Sequence, residues 1–321
     1  MQVHYGFEDI QISGIPQLPY TVVTSGTFDG VHIGHQKILN RLREVTLSEK
    51  KNESQYAENV VITYHPHPRL VLFPEQTDLH LLSTLEEKIA LMEKYQIDHL
   101  LIIPFSKTFS QMSSADFIQE ILINKLNTKK LVIGYDHRFG KNREGSFEYL
   151  HQNQHLYPFG IEEIPRQDID NVGISSTKIR NALDNGNVEI AKEYLGHFYT
   201  LTGKVVRGNQ IGRTIDYPTA NLEVADKHKL IPSDGIYAVS VIHNSLVYKG
   251  MLYIGTRTTL GEDLQRSIEV NIFDFDKDIY EQNLTIEFVA LIRKEMKFSG
   301  IEEMKMQLGI DKENVLMRLG S

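Results

Sequence analysis

The chain of 321 residues contains no cysteine. Disulfides, thiolate metal sites and a cysteine nucleophile are therefore excluded. No apolar run approaches the roughly 20 residues that a membrane-spanning helix needs, and the first residues lack the charged-then-apolar order of a signal peptide. We therefore expect a cytoplasmic protein without a membrane partner.

Positive charge is also scarce, because 34 Lys and Arg residues face 42 Asp and Glu residues, a net charge of −8. A general nucleic-acid binder needs a broad positive field, so this balance argues against that class, although local basic patches stay open. Hydrophobic residues make up 41% of the chain and charged residues 24%, as in an ordinary globular protein. The length predicts two domains.

The clearest chemical signal lies in residues 21–47. A β-prone run opens this stretch, residues 25–30 are rich in turn formers, and apolar residues at helical spacing follow. A strand, a glycine-rich turn and a helix should succeed one another, with Gly26 and Gly30 free to adopt positive φ. The first amides of such a helix lack internal partners and face outward at the positive end of the helix dipole, so this corner suits a phosphate.

Two histidines are expected in the loop that leads into this helix. His32 and His35 are three residues apart, so both imidazoles can lie on one face, and Gly34 leaves room for a ligand. Positioned donors of this kind support phosphate binding and charge stabilisation. An isolated His-x-Gly-His sequence is nevertheless more often incidental than catalytic.

The complete string is more specific than its parts. Residues 26–35 (GTFDGVHIGH) resemble the signature of the nucleotidyltransferase superfamily, in particular its flavin-nucleotide branch. The resemblance implies that the two histidines bind ATP phosphates and stabilise charge while the α-phosphate is attacked and pyrophosphate leaves. It assigns His32 and His35 as catalytic residues, and as ATP-binding residues Gly26, Thr27, Phe28, Asp29 and Gly34.

Apolar runs and helical patterns alternate through the rest of the first half. Strands are predicted over 60–64, 98–104 and 130–134, and helices over 83–95 and 114–126. The first 20 residues are expected to form an irregular lead. This alternation predicts a Rossmann-like α/β fold with a parallel sheet that binds ligands at the carboxyl ends of its strands.

The loop after the second of these strands carries two histidines and two prolines. Residues 63–68 (TYHPHP) resemble the Thr-Phe-x-Pro-His-Pro loop of bacterial FAD synthetases, with Tyr64 in place of the usual Phe. The alternating histidines raise the alternative of a metal site, but the prolines fix an extended loop, which favours a ligand-facing surface. The resemblance implies flavin binding by His65, Pro66, His67 and Pro68.

Two further segments of this half resemble the same family. Residues 132–145 look like its Val-x-Gly-x-Asp-Phe-x-Phe-Gly-x-x-Arg-x-Gly segment, which implies that Asp136 lies near the nucleotide, and His137 stands where Phe is usual. A solvated basic turn is the alternative for this loop. Residues 174–180 (ISSTKIR) match the Ile-Ser-Ser-Thr-x-Ile-Arg element; the bare pattern indicates a helix N-cap, which can coexist with phosphate binding. The resemblance assigns to ATP the residues Ser175, Ser176, Thr177 and Arg180.

The second half has the periodicity of strands. A helix over 184–196 should bridge the halves, and a last helix is predicted over 300–308. The segments between them are short, rich in β-formers and separated by Gly, Asn and Asp turns, which predicts an antiparallel barrel or sandwich. These segments are 200–207, 235–243, 246–255, 266–275 and 283–293.

Residues 203–222 resemble the signature of riboflavin kinases. A bare Pro-Thr-x-Asn sequence indicates only a turn, but the resemblance makes Thr219 and Asn221 contacts of magnesium and nucleotide, and neutral oxygens suit Mg²⁺. The resemblance also implies ATP or flavin binding in the kinase by Gly203, Gly208, Gly212, Arg213, Pro218 and Arg293.

Residues 267–273 alternate in polarity, so Ile268, Val270 and Ile272 should share one strand face and Glu269 should lie on the other. An exposed glutamate is the simplest interpretation of this pattern. In riboflavin kinases, however, the Glu of the corresponding strand is the general base that takes the proton of the ribityl 5′-hydroxyl, and the resemblance assigns this role to Glu269. The kinase pattern is broken by Asp216, Thr258 and Lys294, which replace a Gly and two Pro.

The resemblances cover almost the whole chain. They imply an FMN adenylyltransferase (FAD synthetase) domain of Rossmann-like nucleotidyltransferase type over 1–184, followed over 185–321 by an antiparallel β-barrel riboflavin kinase domain with a C-terminal helix. ATP, riboflavin and FMN would be substrates, FAD the product and Mg²⁺ the cofactor. Two alternatives stay open: an enzyme with one degenerate site, and a flavin-sensing or RNA-binding regulator. Assembly into a homo-oligomer also stays open.

Overall fold

The computed structural model describes residues 1–6, 20–52, 57–76, 78–165, 173–208, 217–256 and 266–320. Gly212, Arg213, Asp216 and Thr258 lie outside these ranges. The chain divides into two compact units. Unit 1 comprises Met1–Leu79 and Lys88–Ser175, and unit 2 comprises His80–Glu87 and Ser176–Ser321.

Unit 1 is built on a six-stranded sheet in which every pairing is parallel, in the order β1-β4-β3-β2-β5-β6. The parallel sheet predicted from the alternating pattern is thus confirmed. The chain runs from β2 through β3 to β4 on one side of β2, and β5 and β6 lie on the other side. The strands are β1 (Gln2–Tyr5), β2 (Tyr20–Ser25), β3 (Ala57–His65), β4 (His99–Pro104), β5 (Thr128–Gly134) and β6 (Gly160–Ile164).

The order of the strands creates a topological switch point between β2 and β5. In open α/β sheets, ligands bind at such a point, outside the carboxyl ends of the strands. The crevice between the ends of β2 and β5 is therefore the position that the fold itself offers to a ligand.

Helices connect the strands of unit 1. They are α1 (Ile33–Asn52), α2 (Pro68–Leu72), α3 (Leu85–Glu93), α4 (Ser114–Asp116) with a following π-helix (Phe117–Lys125), and α5 (Phe147–Gln152). The first three residues of α3 are assigned to unit 2, and the remainder of α3, from Lys88, is assigned to unit 1. Short 3₁₀ turns cover Asp29–Val31, Phe109–Gln111, Lys141–Arg143 and Gln154–Leu156. The core joins Val23, Ile62 and Leu101 of the sheet to Phe117 and Ile121 of the π-helix.

Two strands of unit 1 were not predicted. Residues expected to form an irregular lead contain β1, which pairs with β4, and the Gln2 amide donates to the Asp98 carbonyl at 2.8 Å. The edge strand β6 pairs with β5 and was also missed. Both strands are short and half exposed, so they lack the apolar runs that identified the buried strands, and their pairing depends on distant chain segments.

Unit 2 contains a closed antiparallel barrel in the order β10-β11-β8-β7-β12-β9. This confirms the barrel and excludes the sandwich. The strands are β7 (Tyr199–Val206), β8 (Ala220–Glu223), β9 (Gly235–His243), β10 (Leu246–Thr256), β11 (Arg266–Ile272) and β12 (Asn283–Arg293). The four-residue β8 was not predicted, because it lies within the motif that suggested a turn.

The helices of unit 2 differ from prediction in their bounds. α6 (Ser176–Asp184) begins at the Ser-Ser-Thr element that indicated a helix N-cap. α7 (Val188–Leu195) is the helix expected over 184–196, and it begins later than predicted because Gly186 adopts a φ of 77° between the two helices. The C-terminal α8 (Ile301–Leu319) extends well past the predicted end at 308. Its inner face buries Asp311 and Val315, so a buried carboxylate interrupts the apolar periodicity that prediction relied on.

A buried ion pair ties residues 80–87 to the barrel within unit 2. Lys229 Nζ lies 2.5 Å from Glu87 Oε2, with side chains 0% and 6% exposed, and it also donates to the Leu82 carbonyl at 2.8 Å. The other Glu87 oxygen accepts from the Thr202 amide at 3.1 Å. Residues 80–87 therefore belong structurally with the barrel, although they precede it by about a hundred residues in sequence.

Within the ranges that the structure covers, no helix is long and apolar enough to cross a membrane.

Candidate active sites

The turn between β2 and α1 is strained. Phe28 and Val31 adopt φ values of 47° and 41°, which L-residues with large side chains rarely take, while Gly30 adopts 78°. Of the two glycines that are free to take a positive φ, only Gly30 does so, and Phe28 takes the left-handed conformation in the same turn. A Cβ on Gly26 would lie 3.1 Å from the Phe28 ring, so glycine is needed here for space. Strain of this kind persists where the surrounding structure enforces it, often at functional sites.

His32 and His35 lie together at the start of α1. Because α1 begins at Ile33, Gly34 and His35 belong to its first turn, and their expected position in the loop is wrong. His32 is extended and its Nδ1 accepts from the His35 amide at 3.4 Å, so its imidazole completes the helix N-terminus. The two rings stack with centroids 3.6 Å apart. The three-residue spacing thus brings both imidazoles to one face, as predicted.

The electrostatics of this corner favour a neutral imidazole at His35. Burial first, and then the nearby His32 and Lys88, lower the pKa of His35 well below its ordinary value. Among the described side chains, only His35 Nδ1 and Thr128 Oγ1 are buried polar atoms without a hydrogen-bond partner. A buried polar atom without a partner is costly, so the Nδ1 of His35 fits a site completed by a ligand.

Lys88 is a buried residue of this corner that sequence analysis missed. Its Nζ donates to the Thr27 carbonyl at 2.7 Å and lies 3.5 Å from Thr63 Oγ1. Burial lowers the pKa of Lys88 to about 8, while the charge of Asp29 acts to raise it. A lysine on an amphipathic helix is usually exposed, so no local pattern distinguished Lys88 from its neighbours.

An aromatic cluster lies beside the His65–Pro68 segment. Tyr64, Phe105 and Phe109 contact one another with ring centroids 5.7 to 6.2 Å apart, and the Phe105 amide donates to the His65 carbonyl at 3.0 Å. Phe109 also lines a cavity of about 850 Å³ together with Met112 and Pro104. These rings meet edge to face or tilted, and aromatic rings beside an open cavity suit a planar aromatic ligand. The Phe-x-x-x-Phe spacing directly after β4 is the signal that could have identified it.

The loop after β5 is basic and locally closed. Asp136, expected near the nucleotide, is exposed directly after the strand, and Arg138 and Arg143 follow on the same loop. Phe139 and Gly145 exchange two backbone hydrogen bonds of 3.0 and 2.9 Å. A Cβ on Gly145 would meet the Phe139 ring at 2.6 Å, so glycine permits this closure.

The Ser-Ser-Thr element forms the expected helix start. Ser176 is the first residue of α6, with Ser175 directly before it and Thr177 exposed after it. Arg180 Nε donates to the His80 carbonyl at 2.6 Å. The guanidinium of Arg180 therefore has a backbone partner within unit 2 in addition to any role in phosphate binding.

A second constellation forms in the barrel. Asn221 on β8 is directly opposite Glu269 on β11, and Thr219 Oγ1 donates to Glu269 Oε2 at 3.1 Å. The Ser267 hydroxyl donates to the other Glu269 oxygen at 3.3 Å. Ile268, Val270 and Ile272 are buried while Glu269 is half-buried, which confirms the predicted alternation. Strand pairing thus gathers hard oxygen donors from two strands.

The surroundings of this cluster explain two further motif residues. A Cβ on Gly208 would lie 2.2 Å from Asn221 Nδ2, so only glycine allows this approach. The Pro218 carbonyl accepts from Asn271 Nδ2 at 2.7 Å. A cavity of about 210 Å³ opens beside Pro218 and Thr219. Gly203 lies on β7, where a Cβ would meet the Glu223 carbonyl at 3.0 Å.

Arg293 has a structural partner. Its guanidinium pairs with Asp311 of α8, with an Nη2 to Oδ2 distance of 2.8 Å, and also donates to the Lys294 carbonyl. This pair joins the end of β12 to α8. The expected contact of Arg293 with flavin or phosphate stays a prediction.

Comparisons with known proteins match two regions of the chain. A family model described as FAD synthetase matches residues 15–178, and one described as riboflavin kinase matches residues 195–319. Similar relatives include the bifunctional riboflavin kinase/FMN adenylyltransferases of Haemophilus influenzae and Bacillus subtilis, each 35% identical. The match to the Haemophilus influenzae protein covers 91% of this chain and 92% of the relative. The match to the Bacillus subtilis protein covers 92% of each chain.

One solved structure resembles the chain throughout. The crystal structure of a protein from Streptococcus pneumoniae described as a macrolide-efflux protein has a TM-score of 0.84 and 30% sequence identity, and the match covers 100% of both chains. The two family matches together cover most of the sequence, in the order of the two units' sites. The chain therefore belongs to the family of bifunctional riboflavin kinases and FMN adenylyltransferases.

Proposed function

We propose that the α/β domain joins FMN to the AMP moiety of ATP and that the barrel domain phosphorylates riboflavin. The observation that carries this proposal is the presence of two separate constellations, each inside the matching family region: His32 and His35 in the first, Thr219, Asn221 and Glu269 in the second. We place the functional boundary between residues 184 and 185, in the interval between the two matches.

In the adenylyltransferase, an FMN phosphate oxygen attacks the α-phosphorus of ATP and pyrophosphate leaves. No covalent nucleophile is needed, so the protein's task is to position the phosphates and to stabilise their charge. His32 and His35 supply imidazole donors at the N-terminus of α1, and the partnerless Nδ1 of His35 supports this role. Gly26, Thr27, Phe28, Asp29 and Gly34 shape the turn, and Ser175, Ser176, Thr177, Arg180 and Asp136 are proposed as further ATP contacts.

Lys88 is proposed as a positioning residue of this site. Through the Thr27 carbonyl it holds the strained turn in place, and its charge opposes protonation of His35. When a triphosphate binds, the added negative charge favours the ammonium form of Lys88. The lysine thus couples the geometry of the turn to the charge of the ligand.

The flavin of FMN is proposed to lie against the aromatic cluster. His65, Pro66, His67 and Pro68 lead away from Tyr64, and Phe105 and Phe109 add rings that can stack on an isoalloxazine. The cavity beside Phe109 and Met112 has room for a planar ligand of this size.

In the kinase, Glu269 is proposed to accept the proton of the ribityl 5′-hydroxyl as this oxygen attacks the γ-phosphorus of ATP. The hydrogen bonds from Thr219 and Ser267 hold its carboxylate on the open face of β11. Gly208 and Pro218 set the approach of the nucleotide, and Gly203, Gly212, Arg213 and Arg293 are proposed as outlying contacts.

The donors present fit Mg²⁺. Thr219, Asn221 and Glu269 offer hard oxygens at one place, and in the described parts of the chain no group of three or more His, Asp or Glu side chains could hold a metal by itself. Mg²⁺ is usually held by one or two protein ligands, substrate phosphates and water, which matches this set. When bound, the ion would neutralise phosphate oxygens. Thr219 and Asn221 are the residues that would hold it.

The experiment supplies riboflavin, ATP and Mg²⁺ to one protein sample and separates FMN from FAD by chromatography. His32→Ala should abolish FAD formation and spare FMN formation. Glu269→Gln should lower FMN formation by roughly 10²- to 10⁴-fold and spare FAD formation from added FMN. If both variants kept both activities, the site assignment would be wrong. A cytoplasmic location and assembly into a homo-oligomer stay predictions.

A further inference from the structure

Three residues of the barrel form a row across three adjacent strands. Tyr253 on β10 is the register partner of Glu269 on β11, and Glu269 is in turn the register partner of Asn221 on β8. Residues that are directly opposite on neighbouring strands share a face of the sheet, with Cβ atoms roughly 5 Å apart. Tyr253, Glu269 and Asn221, which we call the cross-strand row, therefore lie side by side on one face of the barrel.

Tyr253 is the member of the row that sequence analysis did not consider. Its chain neighbours Leu252 and Ile254 are buried, whereas Tyr253 is half-buried on the other face of β10. Its ring packs against the apolar cluster that includes Met251 and Val315. An aromatic residue is ordinary on a strand, so no local pattern distinguished Tyr253.

The Tyr253 ring lies along β10. A Cβ on Gly255 would lie 2.1 Å from the Tyr253 hydroxyl oxygen and 2.4 Å from its Cζ, so only glycine leaves room for the phenol end of this ring. Gly255 is the register partner of Ser267, whose hydroxyl donates to Glu269. The phenol of Tyr253 is thus at the level of a residue that holds the Glu269 carboxylate.

Glu295 fixes the proton of this phenol. Tyr253 Oη donates to Glu295 Oε1 at 2.7 Å, and an ionised carboxylate can only accept. Burial first, and then the hydrogen bond to Glu295 and the charges of Glu295 and Glu269, raise the pKa of Tyr253, so the phenol keeps its proton at neutral pH.

The phenol oxygen of Tyr253 is consequently an acceptor toward any further partner. A phenol has one proton, and the Tyr253 proton is committed to Glu295. In the part of the chain that the structure describes, no residue donates a hydrogen bond to this oxygen. The position therefore suits a ligand group that donates, such as a hydroxyl.

The row assigns sides to the two substrates of the kinase. Thr219 and Asn221, the proposed magnesium ligands, lie beside and on β8, whereas Tyr253 lies on β10, and β11 with Glu269 runs between these two strands. In phosphoryl transfer the attacking and leaving oxygens are roughly in line, on opposite sides of the phosphorus. A nucleotide held at β8 is therefore attacked from the side of β10. Tyr253 is on the side of the attacking substrate, riboflavin.

The chemistry of riboflavin matches an accepting phenol oxygen. Its ribityl chain carries hydroxyl groups on consecutive carbons, and each of them has a proton to donate. While the 5′-hydroxyl faces Glu269, a hydroxyl farther along the chain can reach the side chain on the neighbouring strand. The ribose of ATP also carries hydroxyls, and separate titrations of the two substrates distinguish the sources.

We propose that the phenol oxygen of Tyr253, oriented by Glu295, accepts a hydrogen bond from a ribityl hydroxyl of riboflavin, which makes Tyr253 a substrate-binding residue of the kinase. This contact holds the ribityl chain so that its 5′-hydroxyl stays within reach of Glu269. It also favours a polyol chain over an apolar chain of the same length. The inference rests on the proposed function of the barrel domain.

The first test removes the phenol oxygen and keeps the ring. Tyr253→Phe should raise the KM for riboflavin by roughly 3- to 10-fold, the range for one hydrogen bond between neutral groups, and leave the KM for ATP unchanged. FMN formation, with one substrate varied while the other is saturating, measures both constants, and thermal unfolding of the full chain reports intact folding. An unchanged KM for riboflavin, or a rise of the KM for ATP alone, would overturn the proposal.

A substrate analogue identifies the group that Tyr253 contacts. Riboflavin with a 5-hydroxypentyl chain in place of the ribityl chain keeps the reacting hydroxyl and lacks the others. The preference for riboflavin over this analogue, measured as a ratio of kcat/KM values, should be roughly 3- to 10-fold smaller in Tyr253→Phe than in the wild type. Equal preferences in the two proteins would show that Tyr253 does not contact the ribityl chain, and the proposal would fail.

A double variant tests the orienting role of Glu295. Glu295→Ala leaves the phenol oxygen in place, so it should raise the KM for riboflavin by less than Tyr253→Phe does. Once the phenol oxygen is absent, loss of Glu295 should add nothing, so Tyr253→Phe/Glu295→Ala should match Tyr253→Phe alone. If the two increases multiplied in the double variant, Glu295 would act independently of Tyr253, which would contradict the orienting role.

A matched control is available on the adjacent strand β9. The Tyr237 phenol also donates to an oxygen, the Ser233 carbonyl at 2.6 Å, but its side chain is fully buried. Tyr237→Phe should lower the midpoint of thermal unfolding and leave the KM for riboflavin unchanged. An equal rise of this KM in Tyr237→Phe and Tyr253→Phe would mean that loss of any phenol disturbs the barrel, and it would count against the proposal.

Glu269→Gln separates the failure of this inference from the failure of the proposed function. If Glu269→Gln forms FMN at the wild-type rate, the function assigned to the barrel constellation is wrong. If it loses FMN formation while Tyr253→Phe keeps the wild-type KM for riboflavin, the Tyr253 proposal alone fails.

Discussion

The protein buries two lysines in opposite ways. In unit 2, Lys229 forms an ion pair with Glu87 and donates to a backbone carbonyl, so its charge is compensated. In unit 1, Lys88 has no salt bridge to a carboxylate among the described residues and donates to the Thr27 carbonyl and toward the Thr63 hydroxyl. Burial accordingly lowers the pKa of Lys88 to about 8.

The difference teaches how burial serves two purposes. A buried charge with a full set of partners contributes to the structure. Removal of one partner is strongly destabilising, because the other charge is then buried without compensation. A buried cation that is incompletely compensated is poised to respond to an added negative charge, and such groups concentrate at functional sites. The comparison supports a structural role for Lys229 in the barrel unit and the positioning role proposed for Lys88 at the histidine corner.

The largest expected effect is on stability. Lys229→Met leaves Glu87 buried without its cation and should lower the free energy of unfolding by roughly 3–5 kcal/mol. Urea denaturation of the full chain measures this loss. The double variant Glu87→Gln/Lys229→Met removes both charges and should recover much of it. A single variant as stable as the wild type would remove the contrast between the two lysines.

The second effect is on activity. Lys88→Met removes the cation that holds the Thr27 carbonyl and should lower FAD formation by roughly 10²- to 10³-fold, the range for loss of one preorganised donor. FMN formation by the same sample should be unchanged. Thr63→Val is the matched control. It removes the 3.5 Å contact with Lys88 and the 3.3 Å hydrogen bond from the Thr63 hydroxyl to the Thr27 carbonyl but keeps the cation, and it should cost less than tenfold. Equal losses in both variants would mean that Lys88 has no special role.

The third prediction uses pH. The pKa of Lys88 is about 8 in the folded protein, whereas in the unfolded chain the ordinary lysine pKa of 10.5 applies. Unfolding therefore takes up a proton within this window, so the cost of burying the charge disappears as pH rises from 8 to 10.5. Relative to Lys88→Met, the wild type should gain about 3 kcal/mol of unfolding free energy across the window. Parallel pH profiles of the two proteins would contradict this.

The smallest effect concerns a third, partly exposed pair. Arg293 and Asp311 have side chains 16% and 1% exposed, and an amide at position 311 can still accept a hydrogen bond. Asp311→Asn should therefore cost only about 1–2 kcal/mol of unfolding free energy, less than Lys229→Met. Thermal unfolding of the two variants side by side gives the ranking. If Asp311→Asn lost more stability than Lys229→Met, the exposure of an ion pair would not predict the cost of disrupting it.

Much of the fold could be predicted because the buried strands have strong local signals. The apolar runs of β3, β4 and β5 and the alternation around Glu269 identified strands and their faces without knowledge of partners. By contrast, β1 and β8 have four residues each and lack such a signal. Their conformation depends on pairing with strands that lie far away in the chain.

The candidate sites were predicted in part for the same reason. The three-residue spacing placed His32 beside His35, because helix periodicity converts spacing into proximity. The resemblance to riboflavin kinases, and not spacing, assigned Thr219 and Glu269 to one site, and the structure joins them by a hydrogen bond. Spacing did not predict that Phe28, rather than Gly26, adopts the left-handed conformation. That choice depends on packing of the Phe28 side chain, which is buried against the rest of the domain.

The amino-acid sequence by itself determined the order of the motifs, the alternation that makes one half α/β and the other all-β, and the chemical groups available at each site. Only the tertiary structure decided which buried charges are paired and which polar groups share a hydrogen bond. Ser25 and His137 are 112 residues apart and Glu87 and Lys229 are 142 apart, and strand order and chain folding brought each pair together. Burial then determines whether each charge is compensated, and no local pattern carries that information.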